Sequence, residues 1–337
     1  MTETKKTYSE HLKEKYPPKE GFVKRMQELL GEKGTEEFFE ISYTQSPSSI
    51  RCNTIKIQPT ELKDRFKKYG WKVTQPFEEY PEIMIIKDAK PGEIGNSREH
   101  LLGYFYVQEI SSMLPMLVLK PKPEEFILDL CASPGSKTTQ AAALMENTGT
   151  IIANEVSLGR VGILNSNIER CGITNTIVTR KEGVALCNQL LKKTQMKFDK
   201  ILVDAPCSGE GTLRKSPKTF LMWNPNMIKK IAKTQRKLAG AALKLLKVGG
   251  EMIYSTCTLA PEEDEMVIDF LIRNFDIEIQ TINLPLKFRC GVCEWEDKQL
   301  SKEVKKCLRL YPQDNNTDGF FVTKIKKLSD KCLLKEQ

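Results

Sequence analysis

A chain of 337 residues has room for one large α/β domain and a smaller companion, and 28% charged against 40% hydrophobic residues is the balance of a folded protein. No apolar run reaches the roughly 18 residues of a membrane span, the ten cysteines follow no regular framework, and the chain opens Met-Thr-Glu-Thr-Lys-Lys, so a cytoplasmic protein with reduced thiols is expected. The net charge of +8 is concentrated: residues 211–250 hold ten Lys or Arg and no acid, which alone describes a solvated helix face and beside a reaction centre suggests a polyanionic partner.

Residues 1–50 form a charged helical segment, with helices near 20–32 and 36–41. From Ser49 the pattern changes: Ser-Ile-Arg-Cys-Asn-Thr-Ile-Lys-Ile57 alternates as a strand does, and 59–69 is a short amphipathic helix with Pro59 at its start. Strands are expected at 71–74 and 82–88, which makes 51–120 a small α+β module closed by Gly103-Tyr-Phe-Tyr-Val-Gln-Glu-Ile-Ser-Ser-Met113. Pro121-Lys-Pro123 reads as a linker. From there to about 330 strand and helix alternate in the doubly wound manner. Strands are placed near 126–130, 150–154, 176–179, 200–204 and 251–255, with further ones near 277–282 and 320–325. Helices are placed near 137–145, 158–171, 226–247 and 261–275. The helix from Asn226 collects Ile228, Ile231, Leu238, Ala242 and Leu245 on one face and its lysines elsewhere.

Two strands end on cysteines. Ile201-Leu-Val runs into Asp204-Ala-Pro-Cys-Ser-Gly209, and Glu251-Met-Ile-Tyr-Ser-Thr delivers Cys257. Open α/β sheets carry their chemistry at such strand ends; each cysteine alone would read as a small buried hydrophobe. A third loop, Phe126-Ile-Leu-Asp-Leu-Cys-Ala-Ser-Pro-Gly-Ser-Lys137, is strand, turn and helix start. It matches neither the dinucleotide nor the triphosphate glycine pattern. Gly135 permits close backbone approach to a ligand, the helix N-terminus offers N–H groups to a carboxylate, and Glu155, ending the next strand, suits two ribose hydroxyls. Adenosine, ribose and an amino-acid tail together describe S-adenosyl-L-methionine.

Cys131-Ala-Ser-Pro-Gly-Ser-Lys137, Asp204-Ala-Pro-Cys-Ser-Gly209 and Tyr254-Ser-Thr-Cys257 resemble, in order, the signature motifs of the Nol/Nop/Sun RNA cytosine-5 methyltransferases. The resemblance runs from about residue 49 to 327 and includes Arg51-x-Asn-Thr54, Gln108-x-x-Ser-Ser-Met113 and Asp318-Gly-Phe-Phe321. It implies an α/β, Rossmann-like S-adenosylmethionine-dependent methyltransferase fold over 121–330, behind an α+β module that binds RNA. It implies Cys257 as the nucleophile, Cys207 as the thiol that assists product release, Asp204 as the active-site aspartate and Lys137 as a lysine bordering the base. The cofactor would be held by Cys131, Ala132, Ser133, Pro134, Gly135, Ser136 and Lys137 together with Glu155, Arg160, Glu182 and Asp204. Glu155 and Glu182 stand where the family usually carries Asp, and Ser136 where Gly is common. Gly-Glu-Gly-Thr-Leu-Arg-Lys215, followed by Trp223, is similar to the tRNA-directed branch, so tRNA is expected before rRNA, and a monomer.

The chemistry asks for these residue types. Cytosine C5 is a poor nucleophile until a thiolate adds to C6 and N3 is protonated or hydrogen-bonded; nearby positive charge would favour the thiolate, and Asp204 would meet the N3 edge. A stacked base is out of reach and must be flipped, with Arg214, Lys215 and Arg236 of the basic window on the flanking phosphates. Cys290-Gly-Val-Cys293 has no partner pair or histidine, so no metal is expected. Glu262-Glu-Asp-Glu265 after Pro261 reads first as an acidic helix start, and second as a brace for the Cys257 loop. A non-catalytic RNA-binding assembly factor, an rRNA enzyme and a DNA cytosine methyltransferase are the rival readings.

Overall fold

The computed structural model describes residues 7–332. Helix α1 (Tyr8–Lys15) starts with a capping box between Thr7 and Glu10. The next helix, α2 (Glu20–Ser42), is broken at Gly31, whose φ of 71° no helix accommodates, and this break explains the two helices expected there. Strand β1 (Ser48–Cys52), helix α3 (Pro59–Phe66) and strands β2 (Lys72–Thr74), β3 (Ile83–Lys87) and β4 (Phe105–Val107) build an antiparallel sheet in the order β2-β3-β1-β4. Strand β1 stops well short of the expected end. Asn53 takes its N–H to Tyr104 and accepts from Lys56 and Ile57, so the alternating stretch closes into a turn. The Asn53 amide also donates to the Gly103 and Cys171 carbonyls, tying this module to the larger one.

Helix α4 (Ile110–Leu119) is apolar from Met113 onward, and every residue except Ser112 is buried. Ile110, Met113, Leu114 and Leu117 pack with Phe77, Ile83 and Phe320, while Met116, Val118 and Leu119 pack with Ile127 and Ile253. It therefore lies against both sheets. No helix among the described residues is long and apolar enough to cross a membrane.

The larger unit alternates β5 (Phe126–Asp129), α5 (Ser136–Leu144), β6 (Thr150–Asn154), α6 (Leu158–Cys171), β7 (Thr176–Thr179), α7 (Gly183–Lys193), β8 (Phe198–Asp204), α8 (Pro225–Leu245), β9 (Leu246–Thr256), α9 (Glu265–Asn274) and β10 (Phe275–Gln280). It closes with β11 (Leu308–Leu310) and β12 (Phe320–Cys332). Strands β7-β6-β5-β8-β9 pair in parallel, and β12 runs antiparallel beside β9. The long β12 pairs with β11 through its first residues and with β10 through its later ones. This is the Rossmann-like methyltransferase fold. Alternate residues face opposite helical layers. Ile201 and Val203 pack with Leu238, Val267 and Ile268, whereas Leu202 packs with Ala141 and Leu164.

Helix α7 was not expected. Its clearest apolar pair at helical spacing is Leu186 and Leu190, and its start is set by Glu182, whose carboxylate accepts from the N–H groups of Val184 and Ala185. In the other direction, α9 begins at Glu265 and not at Pro261, because the side chains before it are committed to buried contacts.

Candidate active site

Strand order reverses between β5 and β8: the chain runs outward from β5 to β7 and returns to the other side of β5. In an open α/β sheet the crevice at that reversal receives the ligand. Here a cavity of about 400 Å³ opens there, lined by Leu130, Cys131 and Ser133 after β5, Glu155 and Val156 after β6, and Glu182 after β7. Asp204 and Cys207 after β8, Cys257 after β9, and Thr234 and Leu238 of α8 complete it. Its size is that of a small-molecule site. Of the expected cofactor residues, Ala132, Pro134, Gly135, Ser136 and Lys137 do not line this cavity. Ala132 is buried, the Ser136 carbonyl accepts from Arg51 at 2.8 Å, and Gly135 sits at φ 105° with Leu164 Cδ1 only 3.0 Å from where a Cβ would lie.

The donor set suits S-adenosylmethionine. Glu155 is buried; one oxygen accepts from Ser157 N–H at 2.9 Å and the other lies 3.4 Å from the half-exposed Arg160. Arg160 also donates to the Ser133 carbonyl at 2.6 Å, so it ties the β5 loop to the acid. The α5 N-terminus has no side-chain cap, but its first residues, Ser136 and Lys137, do not line the cavity. Leu130, Val156 and Leu238 offer apolar wall to an adenine. Glu182, expected at the cofactor, lines the cavity and uses both oxygens to cap α7.

Beside this cavity the two thiols meet: Cys207 Sγ and Cys257 Sγ are 3.2 Å apart. The hydrogen bond with Cys257, and then burial, hold the Cys207 thiol well above the ordinary thiol range. The Glu263 carboxyl pushes the Cys207 thiol the same way. Lys137 lies elsewhere. Its buried ammonium donates to Asp204 at 2.7 Å and to Ser112 Oγ at 3.0 Å, over the Phe320 ring, and Ser255 Oγ donates to the other Asp204 oxygen at 2.7 Å. Behind them, Asp129 accepts from Thr138 Oγ1 at 2.7 Å, and burial pushes its carboxyl up to about 7.

Residues 116–326, more than half of the chain, match the family described as 16S rRNA methyltransferase RsmB/F, and residues 18–110 match the N-terminal domain of 16S rRNA methyltransferase RsmF. The tRNA (cytosine(49)-C(5))-methyltransferase of Pyrococcus abyssi is 40% identical over 294 residues, covering 87% of this chain and 92% of that one. The chain belongs to the RsmB/F family of RNA cytosine-5 methyltransferases. S-adenosylmethionine is the methyl donor of this RsmB/F enzyme. Ribosomal RNA small subunit methyltransferase F of Vibrio cholerae is 39% identical over 315 residues; the match spans 92% of this chain and 64% of its relative. Among solved structures, a methyltransferase homologue from Pyrococcus horikoshii aligns with TM-score 0.81 at 33% identity, over 96% of this chain and all of that one. NSun6 from Pyrococcus horikoshii with SFG aligns with TM-score 0.81 at 24% identity, over 92% and 98% of the two chains, and so shares the fold.

The RNA-facing expectations for this RsmB/F member need correction. Arg214 is buried and fully engaged: its guanidinium donates to the Thr317 and Gln45 carbonyls, Thr44 Oγ1 and Asn316 Oδ1 at 2.7–3.1 Å. It pins residues 44–45 to the loop before β12, and it lines the same groove as Lys215. Lys215 is exposed, paired with Asp318 at 2.8 Å, and with Lys90 lines a groove of about 660 Å³ between the two modules. Arg236 lies with Lys233, Lys237 and Lys244 around a shallow cavity of about 410 Å³ over Phe270 and Phe275, on a different face of α8 from Thr234 and Leu238. It is apart from the thiols.

The acidic run is a brace as well as the helix start, with Asp264 and Glu265 at the beginning of α9. All four side chains are buried: Glu262 pairs with Arg25, Glu263 accepts from Ser208 N–H, Asp264 from Thr256 Oγ1, and Glu265 from Arg309. Sequence reasoning missed Ser112, Ser255, Thr234 and Leu238 as parts of the site. Ser112 and Ser255 stand inside motif stretches, which is a usable signal. The α8 residues carry none, because core and cavity faces look alike in an apolar stripe.

Proposed function

We propose that this enzyme methylates C5 of a cytosine in tRNA through a covalent adduct between Cys257 Sγ and cytosine C6. The observation that carries the reading is the pair of thiols 3.2 Å apart at the mouth of the cofactor cavity, one from each of two adjacent strand ends. With the base flipped into the site, Cys257 as thiolate forms the S–C6 bond, and the electron pair displaced through the ring is taken up by a proton shared at N3 with the Asp204–Lys137 pair. S-adenosylmethionine, bound, supplies the electrophilic methyl group to C5. For release, solvent water takes the C5 proton, the C5–H electron pair becomes the C5=C6 double bond, and the C6–S bond breaks with its electron pair going to the Cys257 sulfur. Cys207, kept protonated by its surroundings, donates its S–H to the departing sulfur.

Cys257→Ala should abolish both methyl transfer and any covalent RNA adduct. Cys207→Ala should still form the adduct and release it slowly, leaving a protein–RNA species that survives denaturing electrophoresis. A trapped species with Cys257→Ala and none with Cys207→Ala would reverse the roles; wild-type turnover in both variants would end the mechanism.

The tRNA assignment is supported by the 40% identity to the Pyrococcus abyssi tRNA enzyme, over 92% of that enzyme. It does not rest on Glu210, Arg214 or Trp223 touching RNA, since all three are buried and Trp223 Nε1 donates to Glu210 at 2.7 Å. Methylation of purified rRNA and not of tRNA would overturn it.

A further inference from the structure

The turn that carries Cys207 is held from both sides by a pair of buried polar side chains. Gln235, on α8, donates from Nε2 to the Pro206 carbonyl at 2.9 Å and to Glu263 Oε2 at 2.9 Å. The same Glu263 oxygen accepts from Ser208 N–H at 3.0 Å. The residue before the thiol and the residue after it are thus bonded to two side chains that are bonded to each other. Two further struts hold the assembly: Ser208 Oγ lies 2.7 Å from Thr258 Oγ1, beside Cys257, and Tyr254 OH donates to the Glu263 carbonyl at 2.6 Å.

Gln235 and Glu263 are both fully buried, and each keeps one oxygen without a hydrogen-bond partner among the described residues. A buried amide and carboxyl with an unpaired oxygen each are costly, and an apolar pair of the same size would serve packing better. Burial pushes the Glu263 carboxyl up to about 7, and Glu263 in turn adds to the upward push on the Cys207 thiol. The cost is tolerated at the one turn where the position of a sulfur atom matters.

We propose that Gln235 and Glu263 are positioning residues for the release step: they clamp the 206–208 turn so that Cys207 Sγ stays within proton-donating reach of Cys257 Sγ. This rests on Cys207 acting in release, as above. Loosening the clamp then slows breakage of the C6–S bond and leaves its formation and methyl transfer intact. A residue that merely supports the fold would lower both together.

The test uses the whole enzyme with tRNA and S-adenosylmethionine. Gln235→Met and Glu263→Met should each raise the fraction trapped as denaturation-resistant RNA adduct by roughly tenfold to a hundredfold, the scale of effect expected from misplacing a catalytic group by about 1 Å. Single-turnover methyl transfer should remain within about threefold of wild type. Should either single variant fail to fold, the double Gln235→Met/Glu263→Met variant removes both polar groups together, a change that buried pairs tolerate. In the Cys207→Ala background the same substitutions should not lengthen the adduct lifetime further, because the group they position is gone. Unchanged adduct levels in the clamp variants, or an equal lengthening with and without Cys207, would overturn the clamp while leaving the two thiol roles standing. Absence of a trapped adduct in Cys207→Ala itself would remove the release role and the clamp with it.

Discussion

At the level of single residues, Lys137 and Asp204 form a unit. Their 2.7 Å contact places a cation in a largely buried position with a carboxylate, a serine hydroxyl and an aromatic ring as its surroundings. Lys137→Met would leave Asp204 without its counter-charge and the N3 edge without a proton source. It is expected to lower kcat by about 10²–10⁴, the usual worth of a positioned acid or base; single-turnover methylation at saturating RNA measures it. Asp129 makes a different prediction. Its folded value, pushed up to about 7 by burial, lies above the roughly 3.9 of an unfolded aspartate. The folded state therefore binds more protons between those values, and stability should fall as pH rises through that window, with the penalty fully present above pH 7. Asp129→Asn should flatten this slope, by an amount on the order of a few kcal/mol at pH 8. Urea unfolding of both proteins at pH 5 and pH 8 reads it directly; equal slopes would show that Asp129 does not titrate there.

At the level of elements, the basic window divides. Lys229, Lys230, Lys233 and Lys237 lie along α8 towards solvent, whereas Arg214 is a buried clasp between the N-terminal segment and the loop before β12. Neutralising Lys215, Lys230 and Lys233 should flatten the salt dependence of RNA binding by about one unit for each phosphate that no longer meets a cation. Arg214→Ala should leave that slope alone and lower the melting temperature, because its buried acceptors would be left without a donor. A flattened slope with Arg214→Ala would restore it as an RNA ligand. The contrast exposes a limit of sequence reading: an arginine in a basic run has one spelling whether it faces water or the interior. Helix α7 escaped the sequence reading although Val184, Leu186, Cys187, Leu190 and Leu191 recur at helical spacing behind a capping glutamate.

For the whole molecule, the N-terminal helices close over the catalytic loops. Phe22, Phe38 and Phe39 of α2 cluster with Phe220 and Trp223, with ring centroids 5.5–6.3 Å apart. Arg25 of α2 reaches the buried carboxylate of Glu262, and its Nε lies 3.8 Å from Glu210. One arginine thus neutralises an acid from the Cys207 loop and another from the stretch after Cys257. Arg25→Met would strand both carboxylates in the interior and should cost about 3–5 kcal/mol, the usual penalty for breaking a buried pair; a melting temperature within a degree or two of wild type would rule this out.

The sequence alone determined most of the strands and helices of the larger unit, though not α7 or β11, together with the three loops at the strand ends, the two cysteines and the cofactor class, because these are local matters of period, turn chemistry and residue type. The unbroken apolar run Ile201, Leu202 and Val203 already said that β8 is buried on both faces, and Asp204-Ala-Pro-Cys207 already said where it ends. Only the tertiary structure decided which charges lie inside. Arg214, Arg25, Gln235 and the Glu262–Glu265 run are all polar residues that a sequence assigns to the surface by default, and here they are buried and hold the segments around Cys207 and Cys257 in place. The reason is physical: a buried polar group is allowed only where a partner distant in sequence satisfies it. Gln235 meets Pro206 across 29 positions and Arg25 meets Glu262 across 237, separations at which no local pattern carries the information.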